Sequence, residues 1–403
     1  MRMSRLIAVG FVACILSLCS IQRAAAQLNT PWFVHKWGQC CNGEGRFFNP
    51  RGVAIDAAGY VYVADTFNNR IQKFDRTGTF VVAWGTNGNG RREFSYPTGV
   101  AVDGSGHVYV ADTFNNRVQK FDKTGEFLTA WGTSGSEVTQ LQQPHGIAIG
   151  PNGDVLVADT ANDRIQKFSN TGTFLSAWGV RGDGDGQFNS PQGVAVDAMG
   201  NVFVADTGND RIQKFDSTGI FLVAWGSKGN GDGEFVSPFG VAVDASGNVF
   251  TSDTLNDRIQ KFGNDGSFLT TWGSDGSGDA QFQSPQGVAI DAAGNVYVVD
   301  QKSNNRIQKF APSLAGLVAG LSQQVRSLEH LLSTENGHSS AVDTALARSS
   351  DNNAMEQGSN ASAIDALLTF IDVVETQRGL RLADVQADFL VAAAEAMVAS
   401  LGG

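Results

Sequence analysis

Short runs of apolar residues, interrupted by Gly, Asn and charged residues, follow one another along most of this chain. Three such runs read HVYVAD, RVQKF and EFLTAW, at residues 107–112, 117–121 and 126–131. Runs of about five residues with a period near two and many Val, Phe, Tyr and Trp predict β-strands. The separating segments, such as Gly104–Gly106 and Thr113–Asn116, predict tight turns. The pattern therefore predicts a meander of short strands and not long helices.

This pattern returns every 47 residues, which indicates a repeat architecture such as a solenoid, a propeller or an array. Two markers share the spacing: a Trp that precedes Gly, and an Asp that ends the second predicted strand of each unit. The Trp residues are Trp37, Trp84, Trp131, Trp178, Trp225 and Trp272. The Asp residues are Asp65, Asp112, Asp159, Asp206, Asp253 and Asp300.

Each unit contains four predicted strands, and four strands in about 47 residues make one blade of a β-propeller. The sixth unit stops at Phe310 and lacks a fourth strand, whereas Trp32–Gly38 matches the fourth-strand pattern of Phe80–Gly85. We therefore expect residues 32–37 to complete the last blade, because ring closure removes exposed sheet edges. The predicted fold is all-β: a six-bladed propeller of four-stranded blades over residues 27–311.

The units closely resemble the NHL repeat. The segment from Gly193 to Phe215 carries the resemblance as Gly-Val-Ala-Val-Asp, Asn-Val-Phe-Val-Ala-Asp-Thr and Asn-Asp-Arg-Ile-Gln-Lys-Phe. The likeness covers about residues 32–310 and recurs six times. It implies a six-bladed propeller, whose relatives include protein- and RNA-binding domains, receptor-kinase sensor domains and a zinc-dependent amidating lyase. The fold alone does not choose among these functions.

The N-terminal residues 1–26 are similar to a secretory signal peptide. Arg2 and Arg5 precede an apolar run from Leu6 to Leu18, and Ala24–Ala26 offers small residues for cleavage. A lipoprotein anchor at Cys19 is disfavoured, because Leu18 stands where such a signal needs a small side chain. The sequence predicts a periplasmic or extracellular protein with no membrane span after cleavage.

The charge composition of the chain argues against some classes of binding partner. The formal net charge is −11, and both residues 27–312 and the tail carry more acidic than basic side chains. Generic binding to nucleic acid or to an anionic membrane is therefore not expected. The Gly- and Asp-rich loops near residues 182–186, 229–233 and 274–279 fit ordinary turn chemistry better than a calcium site.

Two cysteines follow the predicted signal, and they are neighbours: Cys40 and Cys41. A bond between adjacent residues departs from relaxed disulfide geometry. We expect two partly exposed thiols or a bridge to another molecule, in preference to a redox switch.

Residues 312–403 have a different composition, rich in Ala, Leu, Ser and Gln. Apolar residues at helical spacing from Leu314 to Leu332, from Ile364 to Val374 and from Val385 to Leu401 predict helices, with a loose segment near 349–360. The stretch from Asp365 to Leu401 resembles a small helical module at the C-terminus of many bacterial exported proteins. The resemblance implies no chemistry.

An Asp-x-x-Asn-x-Arg motif recurs in every unit, with one extra residue in the last. Six copies of one pair cannot all serve one active site, so we interpret them as charge-assisted clamps of the turn between second and third strands. The pairs are Asp65 with Arg70, Asp112 with Arg117, Asp159 with Arg164, Asp206 with Arg211, Asp253 with Arg258, and Asp300 with Arg306.

Function is expected where the repeats differ. Each unit has a Pro at the entry to its first strand. In a meander, the residue after this Pro lies at the rim of the central channel, on the face that also carries the turn after the second strand. The predicted channel-mouth ligand-binding set is Arg51, Thr98, His145, Gln192, Phe239 and Gln286. Apolar residues in the turns of the same face predict a partner surface formed by Phe67, Phe114 and Leu255.

These features favour an exported, non-enzymatic scaffold that binds a protein, peptide or glycan at the channel mouth, with no cofactor. One alternative is a metal-dependent lyase or hydrolase centred on His145, although zinc needs three protein ligands and no other His matches that position. Another is a structural protein of the cell envelope. Zinc and calcium stay open, as do the ligand and the oligomeric state.

Overall fold

The computed structural model describes residues 30–312, which fold into six four-stranded sheets arranged as the blades of a propeller. The prediction of an all-β, six-bladed fold is confirmed. The strands of blades 1 to 3 are Val53–Ile55, Val61–Asp65, Arg70–Phe74 and Phe80–Trp84; Pro97–Val102, Val108–Asp112, Arg117–Phe121 and Phe127–Trp131; and Pro144–Ile149, Val155–Asp159, Arg164–Phe168 and Phe174–Trp178. Those of blades 4 to 6 are Val194–Val196, Val202–Asp206, Arg211–Phe215 and Phe221–Trp225; Pro238–Val243, Val249–Asp253, Arg258–Phe262 and Phe268–Trp272; and Pro285–Ile290, Val296–Asp300, Arg306–Ala311 and Trp32–Trp37.

Two kinds of smaller element join the strands. The strands Thr86–Asn87 and Glu93–Phe94 form a parallel pair in the loop between blades 1 and 2. A single 3₁₀ turn follows the second strand in blades 1 to 5, at Thr66–Asn68, Thr113–Asn115, Thr160–Asn162, Thr207–Asn209 and Thr254–Asn256. These turns lie on one face of the propeller, together with the loops that enter the first strands.

The core of the propeller lies between neighbouring blades. Every second strand is buried along its whole length, as in Val61–Asp65, because both of its faces pack against other blades. The first strands of neighbouring blades approach one another so closely that only Gly fits at the position two residues after the Pro that precedes or begins each first strand. A Cβ on Gly99 would lie 2.1 Å from the carbonyl oxygen of His145 in the next blade. The close approach leaves only a narrow space on the propeller axis.

The strand Trp32–Trp37 is the outermost strand of blade 6 and connects that blade to blade 1. Within blade 6, the Phe33 ring lies 6.0 Å from the Phe310 ring, edge to face. Across the junction, the Trp37 ring lies 6.0 Å from Phe74 of blade 1, and the first strands are joined by a 2.8 Å bond from the Gly287 N–H to the Arg51 carbonyl. The two ends of the β-structure therefore meet in one blade.

The Asp–Arg pairs all form ion pairs, with Arg Nε to Asp Oδ2 distances of 2.7 to 2.8 Å. Each Asp is fully buried, and its other oxygen accepts a backbone N–H from the loop that enters the blade, as Asp65 does from Phe48 at 2.7 Å. The Arg reaches further, since Arg70 also donates to the carbonyls of Gly43 and Arg46. Burial raises the pKa of the Asp65 carboxyl in spite of these donors. The contacts support the structural interpretation, and they tie the entry loop to the turn.

Cys40 and Cys41 form a disulfide between neighbouring residues, so the expectation of free thiols or of a bridge to another molecule is wrong. Their Cα atoms lie 3.4 Å apart. The pair is exposed, and the side-chain amide of Asn68 donates to the Cys41 carbonyl at 2.9 Å.

The signal segment 1–26 and the helical tail 313–403 lie outside the described residues, so both stay predictions. Within residues 30–312, no helix is long and apolar enough to span a bilayer.

Candidate functional site

The mouth of the axial channel holds a cavity of about 70 Å³. Five of the six predicted channel-mouth residues line it, one from each of blades 1 to 5. They are Arg51, Thr98, His145, Gln192 and Phe239. Gln286 does not line the cavity; it is buried, and its side-chain amide donates to the Ser284 carbonyl at 3.3 Å. Because drug-sized ligands need about 300 Å³ or more, the cavity accepts only a small group.

Three of the lining side chains, from alternate blades, converge across the axis. The Arg51 guanidinium carbon lies 5.9 Å from the centre of the Phe239 ring, within the range of a cation–π contact. The His145 ring lies 6.2 Å from the same ring at an angle of 35°. Blades 1, 3 and 5 therefore bring a cation, an imidazole and an aromatic face together.

The cation of this trio has no counter-ion. The Arg51 guanidinium makes no hydrogen bond or ion pair with any residue between 30 and 312, and its Nε is buried without an acceptor. No Asp or Glu lines the cavity. Desolvation by burial lowers the pKa of Arg51. The mouth therefore carries an uncompensated positive charge in a poorly solvated space.

His145 is neutral at physiological pH. Burial, with the Arg51 charge as a second cause, lowers its pKa to about 3. Its Nδ1 has no hydrogen-bond partner among the described residues. A neutral imidazole offers one donor and one acceptor to a bound group.

The other predicted mouth residues are less available. The Thr98 hydroxyl is buried; it lies 2.7 Å from the Thr113 hydroxyl of the same blade and donates to the His145 carbonyl of blade 3 at 3.3 Å, so it joins two blades more than it faces the cavity. Gln192 is partly exposed. The chemistry of the mouth thus rests on Arg51, His145 and Phe239.

A second candidate site lies on the same face, further from the axis: four exposed aromatic side chains in a row, which we call the aromatic ridge. Ring-centre distances along the row are 5.1 Å from Phe48 to Phe67, 5.0 Å from Phe67 to Tyr96, and 4.7 Å from Tyr96 to Phe114. All four side chains are exposed, Phe114 to 51%. The ridge spans blades 1 and 2 and contains Phe67 and Phe114 of the predicted partner surface.

Tyr96 has a backbone conformation that bulky residues rarely adopt, with φ of 54°. The Asn69 side chain holds it there by accepting the Tyr96 N–H at 2.9 Å. The equivalent residues of the other units are Asn49, Gln143, Ser190, Ser237 and Ser284. Only Tyr96 bridges two rings from this position. The equivalent residues share the left-handed conformation, with φ of 48° to 54°, so the conformation belongs to the repeat and only the side chain distinguishes Tyr96.

Leu255, the third residue of the predicted partner surface, lies apart from the ridge in blade 5. Its side chain is 60% exposed and is not a member of the ring-to-ring series. Sequence reasoning missed Phe48 and Tyr96, which occupy different positions of the repeat. No signal in the sequence groups them with Phe67 and Phe114, which alone share one position of the repeat.

The residues of the metal-dependent alternative do not come together in the described part of the chain. No group of three or more His, Cys, Asp or Glu side chains forms a metal-ligand cluster between residues 30 and 312. The charged neighbour of His145 is Arg51, which would repel a cation.

Acid is expected to weaken the propeller through His145. Its folded-state pKa lies below that of the unfolded chain, so the unfolded state binds the proton and stability falls as pH falls below about 6.5. At pH 5 the loss relative to pH 8 is about 2 kcal/mol. Denaturant unfolding at both pH values, in a buffer free of carboxylates, should show that His145→Gln loses less stability than the unmodified chain. Equal losses in the two proteins would contradict this.

The NHL repeat family matches the chain at residues 47–74, 94–121, 141–168, 188–215 and 282–310. Each match begins at the buried Phe or Leu of the entry loop and ends in the third strand. The equivalent segment of blade 5, residues 235–262, folds into the same strands and contains Thr251 and Ser252 where other blades carry Val and Ala or Val. No curated protein matches the sequence.

Solved structures share the architecture at low identity. A streptogramin B lyase is 17% identical, with 71% of this chain and 99% of that chain covered and a TM-score of 0.50. A gluconolactonase from Xanthomonas campestris is 14% identical over 67% and 88% of the chains, with a TM-score of 0.51. A Bacteroides thetaiotaomicron protein of unknown function is 18% identical over 70% and 73%, with a TM-score of 0.54. These likenesses show the fold alone.

Proposed function

We propose, from the premise that this chain carries NHL repeats in a six-bladed propeller, that it is an exported, non-enzymatic binding module. Its partner is a protein or a peptide, which docks on the aromatic ridge. Export rests on the signal-like residues 1–26 of the sequence. The binding role rests on the surface geometry.

The observation that carries this proposal is the unbroken row Phe48–Phe67–Tyr96–Phe114. Single exposed apolar residues are ordinary, but a contiguous apolar patch on a soluble domain indicates a contact surface. Aromatic side chains are enriched at the centres of protein interfaces, where they provide a large buried area for a small loss of conformational entropy. Four of them in ring contact make a preformed anchor.

The position of Tyr96 adds a second argument. All six units hold this position at a φ of 48° to 54°, and the five others place Asn, Gln or Ser there. Here the fold holds a phenol ring between Phe67 and Phe114 instead, and the phenol hydroxyl has no hydrogen-bond partner among the described residues. An amphipathic ring presented in this way suits recognition of a peptide backbone as well as of apolar side chains.

An enzymatic role finds less support. The lyase and the lactonase resemble this chain in fold, and the described residues assemble no metal-ligand cluster. The mouth cavity of about 70 Å³ is too small to enclose a drug-sized substrate.

Replacing Phe67 and Phe114 together by Ser is expected to weaken partner binding at least a hundredfold, since each buried interface aromatic contributes about 2 kcal/mol or more. The full chain would be immobilised and exposed to an envelope extract of the source cells, and captured species quantified against the double variant. A captured species that is protease-sensitive and lost from the variant is the expected result.

The matched control is a Leu175→Ser, Leu222→Ser chain. Both residues are exposed to 48% on fourth strands, so the control removes similar apolar area away from the ridge. Capture that depends equally on both pairs, or on neither, would refute docking at the ridge. A captured species that survives protease and is removed by glycosidase would replace the protein partner by a glycan.

A further inference from the structure

We propose that the channel mouth is a binding site for a carboxylate group, held by Arg51 with His145 and Phe239 as the walls of the site. The site is separate from the aromatic ridge, and the inference stands or falls independently of the proposed function.

The first argument is the missing counter-charge. A charged group withdrawn from water is stabilised only if it is paired or hydrogen-bonded, and an uncompensated buried ion costs several kcal/mol. The six other buried or half-buried Arg side chains of the described residues, those of the Asp–Arg pairs, each contact a carboxylate at 2.7 to 2.8 Å. Arg51 alone faces a cavity in which no protein carboxylate is present. An anion from solution would therefore provide the counter-charge that Arg51 lacks within the described part of the protein.

The second argument is the chemistry of the walls. A guanidinium presents a planar fork of donors that matches the two oxygens of a carboxylate. The unpartnered imidazole of His145 adds a donor, and the face of Phe239 gives an apolar surface for the carbon next to the carboxyl group. A divalent metal ion would be repelled by Arg51 and would find no acid ligand.

The third argument is size. The cavity of about 70 Å³ exceeds the roughly 10–15 Å³ that a single water molecule needs, and it is several times smaller than the roughly 300 Å³ of a drug-sized pocket, so it suits a group of the size of a carboxylate. With a single cationic side chain and a neutral imidazole, the site matches one negative charge better than the two of hydrogen phosphate.

The carboxylate can come from a small free acid or from the C-terminus of a peptide whose remaining residues lie outside the mouth. Both sources present the same group to Arg51. They differ in whether contacts beyond the carboxylate add affinity, and a titration can separate them.

The full chain would be titrated, at constant ionic strength, with sodium acetate, with acetyl-Gly-Gly, with the amide of the same peptide and with sodium chloride. The readouts are calorimetry and the ¹H–¹⁵N resonance of Arg51 Nε, identified by its absence in Arg51→Gln. We expect acetate or the free-acid peptide to shift this resonance, with affinity at least tenfold weaker in Arg51→Gln. We also expect Arg51→Lys to retain part of the binding, and the exposed Arg92→Gln to retain all of it.

The peptide arm identifies the source. Tenfold tighter binding of the peptide than of acetate, lost in the amide, indicates a C-terminal carboxylate, whereas equal affinities indicate a free small acid. The proposal is overturned if neither carboxylate binds, if Arg51→Gln binds as tightly as the unmodified chain, or if the peptide amide or chloride binds as tightly as the carboxylates. A melting temperature measured for each variant shows whether it is folded, and Arg51→Gln is expected to melt no lower than the unmodified chain, since it loses an unpaired charge.

Discussion

Removal of residues 27–38 is expected to open the ring and to destabilise the propeller by more than about 5 kcal/mol, a large part of the 5–15 kcal/mol that usually stabilises a domain. The deletion takes away the whole outer strand of blade 6. It removes the Phe33 ring from Phe310, and it removes Trp37 from both Tyr297 of blade 6 and Phe74 of blade 1. The exposed third strand Arg306–Ala311 would then become an unpaired edge.

The control for this deletion is a chain that begins at residue 27 and therefore keeps the strand. Denaturant unfolding of the two chains gives the difference in stability, and size-exclusion chromatography reports association through the new edge. Adding a synthetic peptide of residues 27–38 should restore part of the stability of the shortened chain. Equal midpoints for the two chains would show that the strand Trp32–Trp37 does not stabilise the ring.

Asp159→Ala is expected to lower the free energy of unfolding by about 3 kcal/mol, because removal of one partner leaves a largely buried charge unpaired. Arg164 Nε lies 2.7 Å from the Asp159 carboxylate. The backbone N–H of Gln142 would lose its acceptor as well, at 2.6 Å, together with the side-chain amides of Asn162 and Gln166. One substitution therefore releases the entry loop, the turn and the third strand of blade 3.

Two comparisons make this result specific. Asp183→Ala removes an exposed carboxylate from a neighbouring loop and is expected to change stability by less than about 0.5 kcal/mol. The double variant Asp159→Leu, Arg164→Met should be more stable than Asp159→Ala, since it removes the stranded charge. A loss in Asp159→Ala no larger than that in Asp183→Ala would argue against the clamp.

The fold could be predicted because its information is repeated. The Trp and Asp markers recur every 47 residues and indicate the same blade six times. The strand-like run at Trp32–Trp37 indicates how the last blade is completed. The residues of the channel mouth could also be predicted in outline, since the alternating strand directions of a meander place the residue after each entry Pro at the rim of the channel. The side chain of Gln286 departs from that outline because a nearby carbonyl satisfies it inside the blade.

The aromatic ridge was only half predictable, for a geometric reason. Phe67 and Phe114 occupy the same position of two units, so comparison of the repeats finds both. Phe48 and Tyr96 stand at different positions of the entry loop, and only the folded chain brings them into line. The Cys40–Cys41 disulfide was missed because the sequence argument required relaxed disulfide geometry, which two adjacent residues do not provide.

The close packing of first strands on Gly has a consequence for how such a protein can change. In blades 1 to 5, each side chain at the rim stands between a Pro and a Gly that all six units share, and it borders the axial cavity. Among these five side chains, that of Thr98 also forms a hydrogen bond to the neighbouring blade. Substitution of one such residue changes one of the six positions of the channel mouth, while the packing of the propeller blades is retained. A new binding specificity can thus be acquired one blade at a time, without a change of fold.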